Sequence, residues 1–230
     1  HGAASLLVPG AGYGRNAEFL AALGFAVQGL EIAEEALRIA RARGGKADYR
    51  HGSILTTRFE ACFDAVYCFN VLHLFLREER RMALMNCAAA VKPGGYLFFA
   101  VFSDREPSYG TGREVEAGTF ESKPGRPVHY FSDSELRETF GAYQILETGQ
   151  VDDPEDHGEE GPHIHRLRYI FARKPEGLDF DGERYRQYSK HQKEWGAGVI
   201  GGLDLPPDAD ILDLGCGDGV LTAKLAALVP

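Results

Sequence analysis

The apolar and polar positions of the chain alternate between short apolar runs and stretches with helical spacing. Residues 5–14 are an apolar run that stops at glycines, and residues 15–24 then place apolar side chains at helical spacing. Residues 25–32 form a second apolar run that ends on an acid, and residues 33–45 form a second helical stretch closed by two glycines. This pattern predicts two successive strand-helix units.

The alternation of predicted strands and helices continues through the next part of the chain. A third strand is predicted at 47–52 and a fourth within 63–75, followed by a helix over 76–92. The turn at 93–95 then leads into residues 96–103, a continuous apolar run of the kind that a strand buried on both faces needs. Strands that alternate with helices of this length predict a doubly wound, mostly parallel sheet.

The alternation of predicted strands and helices ends after residue 103. Residues 104–128 are rich in glycine, proline and charge, and we expect a long surface excursion near the carboxyl ends of the strands. Ser132 followed by Glu135 resembles a capping box that opens a helix over residues 133–141. This region is expected to shape a site rather than to extend the core.

Two further apolar runs, at 143–150 and 166–174, predict a final pair of strands. The acidic stretch 152–165, which carries histidines, joins them. Two strands linked directly in this way favour an antiparallel edge on the otherwise parallel sheet. The predicted fold class is therefore α/β, a doubly wound mostly parallel sheet with an antiparallel edge.

Length and charge narrow the function. A chain of 230 residues accommodates one main domain, and no apolar run approaches the roughly 18 residues that span a bilayer. The formal net charge of −9 disfavours a protein that binds nucleic acid through the phosphate backbone. We expect a small-molecule substrate, no nucleic acid, no membrane and a cytoplasmic location.

A glycine-rich turn joins the first strand to its helix. Gly10, Gly12 and Gly14 form a G-x-G-x-G sequence, where side chains would keep a ligand away from the backbone. Glu31 follows at the tip of the next strand, a position from which a carboxylate accepts hydrogen bonds from ribose hydroxyls. Loop and acid together predict a nucleoside cofactor. NAD is the competing ligand, although its loop has the spacing G-x-G-x-x-G.

The sequence LLVPGAGYGRNAEFLAALGFAVQGLEI resembles the first motif and acidic second strand of class I S-adenosylmethionine-dependent methyltransferases. FDAVYCFNVLHLF and VKPGGYLFFAVFS resemble the later motifs of that family, in the same order. GYGRNA and the stretch from E-x-G-T-F-E to G-R-P-V-H-Y-F-S are most similar to its tellurite-resistance and thiopurine-type small-molecule branch. The resemblance implies a Rossmann-like fold and S-adenosylmethionine as cofactor.

The resemblance also implies a set of cofactor contacts. The glycine loop would approach the methionine part, Glu31 the ribose and Ile32 the adenine. Two residues after the third strand would border the adenine, and three after the fourth strand would support the methionyl group. The implied cofactor site comprises Gly10, Ala11, Gly12, Gly14, Asn16, Glu31, Ile32, Ser53, Ile54, Asn70, Val71 and Leu72.

Methyl transfer from a sulfonium is an in-line displacement that depends on alignment, so no catalytic residue is assigned. The candidates for substrate contact, chosen by position near the strand ends, are Tyr13, His73, Arg113, Arg126 and His129. His157, His163 and His165 lack a further ligand at fixed spacing and fall in an acidic stretch expected to be solvated, so no metal site is predicted.

The last part of the chain resembles the start of a second methyltransferase domain. Residues 183–230 contain an amphipathic segment and then the glycines Gly215, Gly217 and Gly219 after Asp213. We therefore divide the chain into a cofactor-binding methyltransferase domain, 1–175, and a partial second start, 176–230, either truncated or swapped. A strand-helix unit without its sheet favours a homodimer through this tail.

Three functions remain open from the sequence, of which a nicotinamide-dependent reductase is the third. The first is an enzyme that transfers a methyl group to a small-molecule nucleophile. The second is a non-catalytic domain that binds the cofactor for regulation.

Overall fold

The fold is described from a computed structural model, which covers residues 5–156, 162–176, 200–202, 206, 209 and 220–227. Chain contacts separate two compact units, His1–Gly177 and Leu178–Pro230. The first unit carries the sheet. In the second, the described helix is α5, Val220–Ala226. The predicted second glycine loop, Gly215–Gly219, lies outside the described residues, and the division into domains remains a prediction.

The central sheet has seven strands in the order β3-β2-β1-β4-β5-β10-β9. The five parallel strands are β1 (Ser5–Pro9), β2 (Ala26–Glu31), β3 (Asp48–His51), β4 (Phe63–Phe69) and β5 (Val91–Phe102). β9 (Gln144–Asp156) and β10 (Pro162–Arg173) complete the sheet, and β10 runs antiparallel to both β5 and β9. The predicted fold class, with its antiparallel edge, is confirmed.

Helices cover both faces of this sheet. They are α1 (Arg15–Ala22), α2 (Glu34–Ala42), α3 (Arg77–Ala90) and α4 (Asp133–Thr139), with a 3-10 turn at Leu72–Leu74. Along β1, Leu7 belongs to one apolar cluster with residues of α3, while Leu6 and Val8 belong to another with residues of α1. Because side chains alternate along a strand, β1 is buried on both faces, as its continuous apolar run predicts.

The segment predicted as a turn at 93–95 is instead an irregularity inside β5. Phe63 pairs with Val91, but Ala65 pairs with Tyr96, so the extra residues of β5 bulge out of the ladder. Gly94 has a φ of +75°, which a glycine adopts without strain. The strand therefore begins earlier than its apolar run indicates.

The stretch 104–128 contains a second, three-stranded antiparallel sheet. Its strands are β6 (Arg113–Glu116), β7 (Thr119–Lys123) and β8 (Arg126–His129). The sequence does not show these strands because they are short and polar. The capping of α4 is partly as predicted: the Ser132 hydroxyl accepts a hydrogen bond from the Glu135 amide at 3.1 Å. Oε1 of Glu135 lies 2.9 Å from Nε2 of His129.

The stretch 152–165, expected as a loop, extends β9 and β10 instead. The ladder continues through the pairs Asp152 with Arg166 and Asp153 with His165, and ends at Asp156 with Pro162. These parts of the strands carry many charged residues, so the sequence shows no apolar alternation from which to predict them. No helix in the described part of the chain is long and apolar enough to cross a membrane.

Candidate functional site

A cavity of about 260 Å³ opens at the carboxyl ends of β1, β2 and β4. In a parallel sheet this edge is where ligands bind, because the strand order reverses there. The cavity is lined by Gly10, Leu30, Glu31, Ile32, Gly52, Ser53, Ile54, Asn70, Val71, Leu74 and Phe75.

The glycine loop needs glycine at its first position for two reasons. Gly10 has a φ of +61°, and a Cβ there would lie 2.3 Å from Cγ2 of Val71. Gly12 has a φ of +54°, but a Cβ there would meet no atom within 4 Å. Gly10 therefore allows the loop to pack on the segment after β4, while Gly12 leaves open space in front of the loop.

Glu31 holds the loop in place through its carboxylate. Oε2 accepts a hydrogen bond from the Gly12 amide at 2.8 Å, and Oε1 accepts from the amides of Ile32 and Ala33 at 2.9 Å. The residue is 9% exposed. A carboxylate has about four lone-pair sites and these amides use three, so one further donor can be accommodated. Glu31 thus both orders the backbone and presents an acceptor to the cavity that it lines.

Asn70 has the most unusual backbone in the site. Its φ is +58°, in the left-handed region. Among the described residues, Asn70 is the one non-glycine residue whose φ is positive. Its Oδ1 is buried and receives no hydrogen bond from any described residue. Strain and an unsatisfied acceptor cost free energy and are common where a ligand completes the site. Asn70 therefore offers an acceptor to a ligand donor group.

The remaining wall of the cavity is apolar. Ile54 and Val71 are buried, whereas Ile32 is 66% exposed and Leu74 is 49% exposed. Large apolar side chains beside a cavity gain burial when a flat apolar group is bound. The Ser53 hydroxyl accepts a hydrogen bond from the Leu55 amide at 3.2 Å.

Several residues of the implied cofactor set lie outside the cavity lining. Ala11 is buried and donates its amide to the Leu30 carbonyl. Gly14 precedes α1, and a Cβ there would lie 2.3 Å from the Tyr49 hydroxyl, so its lack of a side chain serves packing. Asn16 is half-buried on α1, and Leu72 is 1% exposed within the core. Their cofactor contacts remain predictions.

The sequence reasoning did not select four residues of the cavity wall. Leu30 precedes Glu31 and Gly52 precedes Ser53, while Leu74 and Phe75 extend the segment that begins at Asn70. Each is a near neighbour of a selected residue, so widening each motif by a few positions would have found them.

The five candidate substrate contacts lie in different surroundings. Tyr13 is 58% exposed in the glycine loop. Arg113 and Arg126 are exposed on the small sheet, where Arg113 pairs with Glu121 at 2.8 Å. His129 is fully buried, with Nδ1 2.8 Å from the Thr119 hydroxyl. Tyr13, Arg113 and Arg126 are therefore the candidates that solvent reaches, whereas His129 is enclosed.

His73 is buried in the 3-10 turn, and its Nδ1 accepts a hydrogen bond from the Phe102 amide at 3.3 Å. Burial, with a smaller contribution from the nearby His165 and His129, lowers the pKa of His73 to about 3. The ring is therefore neutral in the folded protein at neutral pH and packs against Phe102 at a centroid distance of 4.1 Å.

This low pKa predicts a pH-dependent stability. Because the folded pKa of about 3 lies below the unfolded value of about 6.5, protonation favours the unfolded chain. Stability is complete above the unfolded pKa and falls as the pH drops toward the folded one. Between pH 7.5 and 5.5 the wild type should lose about 1.4 kcal/mol more than His73→Gln. Urea unfolding at both pH values measures this difference, and equal losses would contradict the assignment.

The histidines of β10 meet an acid that the sequence did not connect with them. Oε1 of Glu106 lies 2.9 Å from Nδ1 of His165 and 3.4 Å from Nε2 of His163. The expectation that no metal site exists here assumed a solvated loop and no further ligand. Both assumptions are wrong, because His163 and His165 lie on a strand and Glu106 is 3% exposed. His157 lies outside the described residues.

Part of the chain matches a known protein family. Residues 7–99 match the family model described as a methyltransferase domain. This match contains the glycine loop, Glu31 and the segment after β4. These residues are similar to a methyltransferase domain, in agreement with the class I S-adenosylmethionine-dependent methyltransferases that the sequence resembles. Their cofactor, S-adenosylmethionine, is the one that the sequence predicts.

A curated relative of this chain is the ubiquinone biosynthesis O-methyltransferase of Bordetella bronchiseptica. It is 33% identical over 106 residues, which cover 44% of this chain and 43% of the relative. The chain thus spans less than half the length of the curated relatives that it matches.

Solved structures support the same fold. A methyltransferase from Methanosarcina mazei has a TM-score of 0.64 at 21% identity, covering 74% of this chain and 92% of that one. TehB from Haemophilus influenzae has a TM-score of 0.56 at 19% identity, covering 74% and 57%.

Proposed function

We propose that this chain transfers a methyl group from S-adenosylmethionine to a small-molecule nucleophile. The observation that carries the proposal is the cavity that Gly10, Glu31 and Asn70 line together, with Asn70 Oδ1 receiving no hydrogen bond from any described residue. The curated relatives are methyltransferases that act in ubiquinone biosynthesis, which favours a small acceptor.

The polar groups of the cavity fit those of the cofactor. Glu31 provides its remaining acceptor position for a ribose hydroxyl, and Asn70 Oδ1 provides one for the ammonium group of the methionyl part. Ile32, Ile54 and Val71 provide the apolar surface that a flat adenine needs. We propose that these residues hold the cofactor, with Gly10 and Gly12 allowing the backbone to approach it.

The chemistry requires alignment rather than proton transfer. When bound, the cofactor supplies a methyl group on a positively charged sulfur, an electrophile that an aligned nucleophile attacks directly. Among the described residues that line the cavity, the ionisable side chain is Glu31, whose carboxylate already accepts three backbone amides. The residues of this site therefore bind, orient and exclude water.

The acceptor is proposed to approach beside Tyr13, since this exposed ring lies in the glycine loop next to the cavity. We propose a thiol, an oxyanion or a carboxylate-bearing metabolite as the nucleophile. Arg113 and Arg126 are the candidates for a charged acceptor group, because both are exposed on the neighbouring small sheet. Replacement of each arginine by glutamine distinguishes an acceptor contact, which raises KM, from a surface role.

We predict that the chain binds S-adenosylhomocysteine at least tenfold more tightly than NAD, because the cavity has one acid for one ribose and an acceptor for an ammonium group. Isothermal titration calorimetry with both ligands measures the ratio. Tighter binding of NAD would overturn the cofactor assignment.

The alternative function is a non-catalytic domain that binds the cofactor. The two functions differ in turnover: incubation with S-adenosylmethionine and a panel of thiols, phenols and carboxylates should form S-adenosylhomocysteine with at least one acceptor. Gly12→Val is the negative control, since it should abolish any true signal. Cofactor binding without product across the panel would favour the regulatory function.

A further inference from the structure

We propose that Glu106, His163 and His165 form a binding site for a divalent transition-metal ion such as Zn²⁺. One oxygen of Glu106 and one nitrogen of each ring lie within 4.8 Å of one another. Within the described residues, this group is separate from the cavity that we assign to the cofactor. Two imidazoles and one carboxylate are a ligand set that zinc proteins use, with a further position open.

The spacing of the ligand atoms suits a metal of this size. Bonds of about 2.0–2.1 Å from zinc to nitrogen or oxygen place neighbouring ligand atoms of a tetrahedron roughly 3.3 Å apart. Nε2 of His163 lies 3.4 Å from Oε1 of Glu106, close to that separation. Nδ1 of His165 lies 2.9 Å from the same oxygen, so a shift of a few tenths of an ångström would admit the ion.

The fold holds two of the ligands firmly. Glu106 follows β5 in a turn where its amide donates to the Ser103 carbonyl, and its Oε2 accepts from the Arg166 amide at 2.6 Å. His165 packs against Phe102 with ring centroids 4.8 Å apart. His163 is two residues away on the same strand and therefore on the same face of the sheet. Partner groups of this kind fix the orientation of metal ligands.

Asp153 adds an independent observation. It lies directly opposite His165 in the ladder between β9 and β10, so both side chains are on the same face. Its Oδ2 is buried, and no described residue donates a hydrogen bond to it. A cation held by Glu106, His163 and His165 would place positive charge on the face of the sheet that Asp153 shares.

The nitrogen ligands determine the class of ion. Imidazole suits zinc, cobalt, nickel and copper, whereas magnesium and calcium prefer oxygen ligands alone. A millimolar excess of Mg²⁺ or Ca²⁺ is therefore not expected to displace zinc from this site.

The test is a zinc titration of the full chain without an affinity tag, after removal of bound metal with a chelator. A competing chromophoric chelator reports affinity, and mass spectrometry of dialysed protein reports stoichiometry. The wild type should retain one Zn²⁺ per chain. Glu106→Gln and His163→Ala should each weaken binding by about a hundredfold or more, and Asp153→Asn, which removes a neighbouring charge, by about tenfold.

His51→Ala is the matched control, since His51 is exposed on β3, at the far edge of the sheet, and should leave zinc affinity unchanged. His163 is 38% exposed, so its replacement is compatible with folding even if that of Glu106 is not. Co²⁺ should give visible absorption bands in the wild type that His163→Ala removes. Absence of a retained zinc ion in the wild type, or wild-type zinc affinity in both Glu106→Gln and His163→Ala, would show that these groups form only a hydrogen-bonded cluster.

Discussion

Gly12→Val should reduce the affinity for S-adenosylhomocysteine by about a hundredfold or more, about 2.8 kcal/mol. A side chain at Gly12 would meet no protein atom within 4 Å, so it would fill the open space in front of the glycine loop. The Gly12 amide also donates to Glu31, which places this space beside the proposed ribose acceptor. Isothermal titration calorimetry measures the loss.

Gly44→Val is the matched control for this substitution. Gly44 has a φ of +65°, against +54° at Gly12, and a Cβ there also meets no atom within 4 Å. Both variants thus carry a similar backbone strain. Gly44, however, lies between α2 and the start of β3, at the amino ends of the strands, whereas the cavity lies at their carboxyl ends. Gly44→Val should lower stability by a similar amount and leave binding intact. Full-affinity binding by Gly12→Val would instead assign the cofactor to the second glycine loop, Gly215–Gly219.

Glu31→Ala should weaken binding of S-adenosylhomocysteine by about 1–3 kcal/mol and also lower the free energy of unfolding by about 1–3 kcal/mol. The sequence alone suggests a role in binding with little effect on stability. The structure changes this expectation, because the carboxylate accepts hydrogen bonds from the amides of Gly12, Ile32 and Ala33. Removal of the side chain leaves these donors without their partner. Calorimetry and urea unfolding measure the two effects.

A ligand that lacks both ribose hydroxyls separates direct contact from loop disorder. The wild type should prefer the hydroxylated ligand by about 1–3 kcal/mol, and this preference should vanish in Glu31→Ala if the carboxylate contacts the ribose. Glu34→Ala, at an exposed acid in the first turn of α2, is the control and should behave as wild type. An undiminished preference in Glu31→Ala would restrict Glu31 to supporting the loop.

The sequence by itself predicts the order of the main elements and the position of the cavity. The apolar runs of β1 and of β5 after Gly95 are continuous because those strands are buried on both faces, and this burial is visible as a local pattern. Glu31 and Gly10 could also be selected, since each ends or follows a strand and the carboxyl ends of neighbouring parallel strands meet at one edge.

The tertiary structure decided which of these residues face the cavity. Gly14 fits the glycine motif, yet its missing side chain makes room for Tyr49 from β3. His73 and His129 stand near strand ends, but both are buried by residues distant in sequence. A local pattern reports the element to which a residue belongs, whereas the packing partner depends on how the elements assemble.

The same limit applies to the small sheet and to the histidine cluster. β6, β7 and β8 are too short and polar to show an apolar alternation, so pairing between strands defines them. Glu106 reaches His163 and His165 across separations of 57 and 59 residues. No spacing rule connects positions so far apart, because the antiparallel register of β5 with β10 brings them together. The sequence therefore determined the fold and its cofactor edge, while long-range strand pairing decided which polar side chains meet.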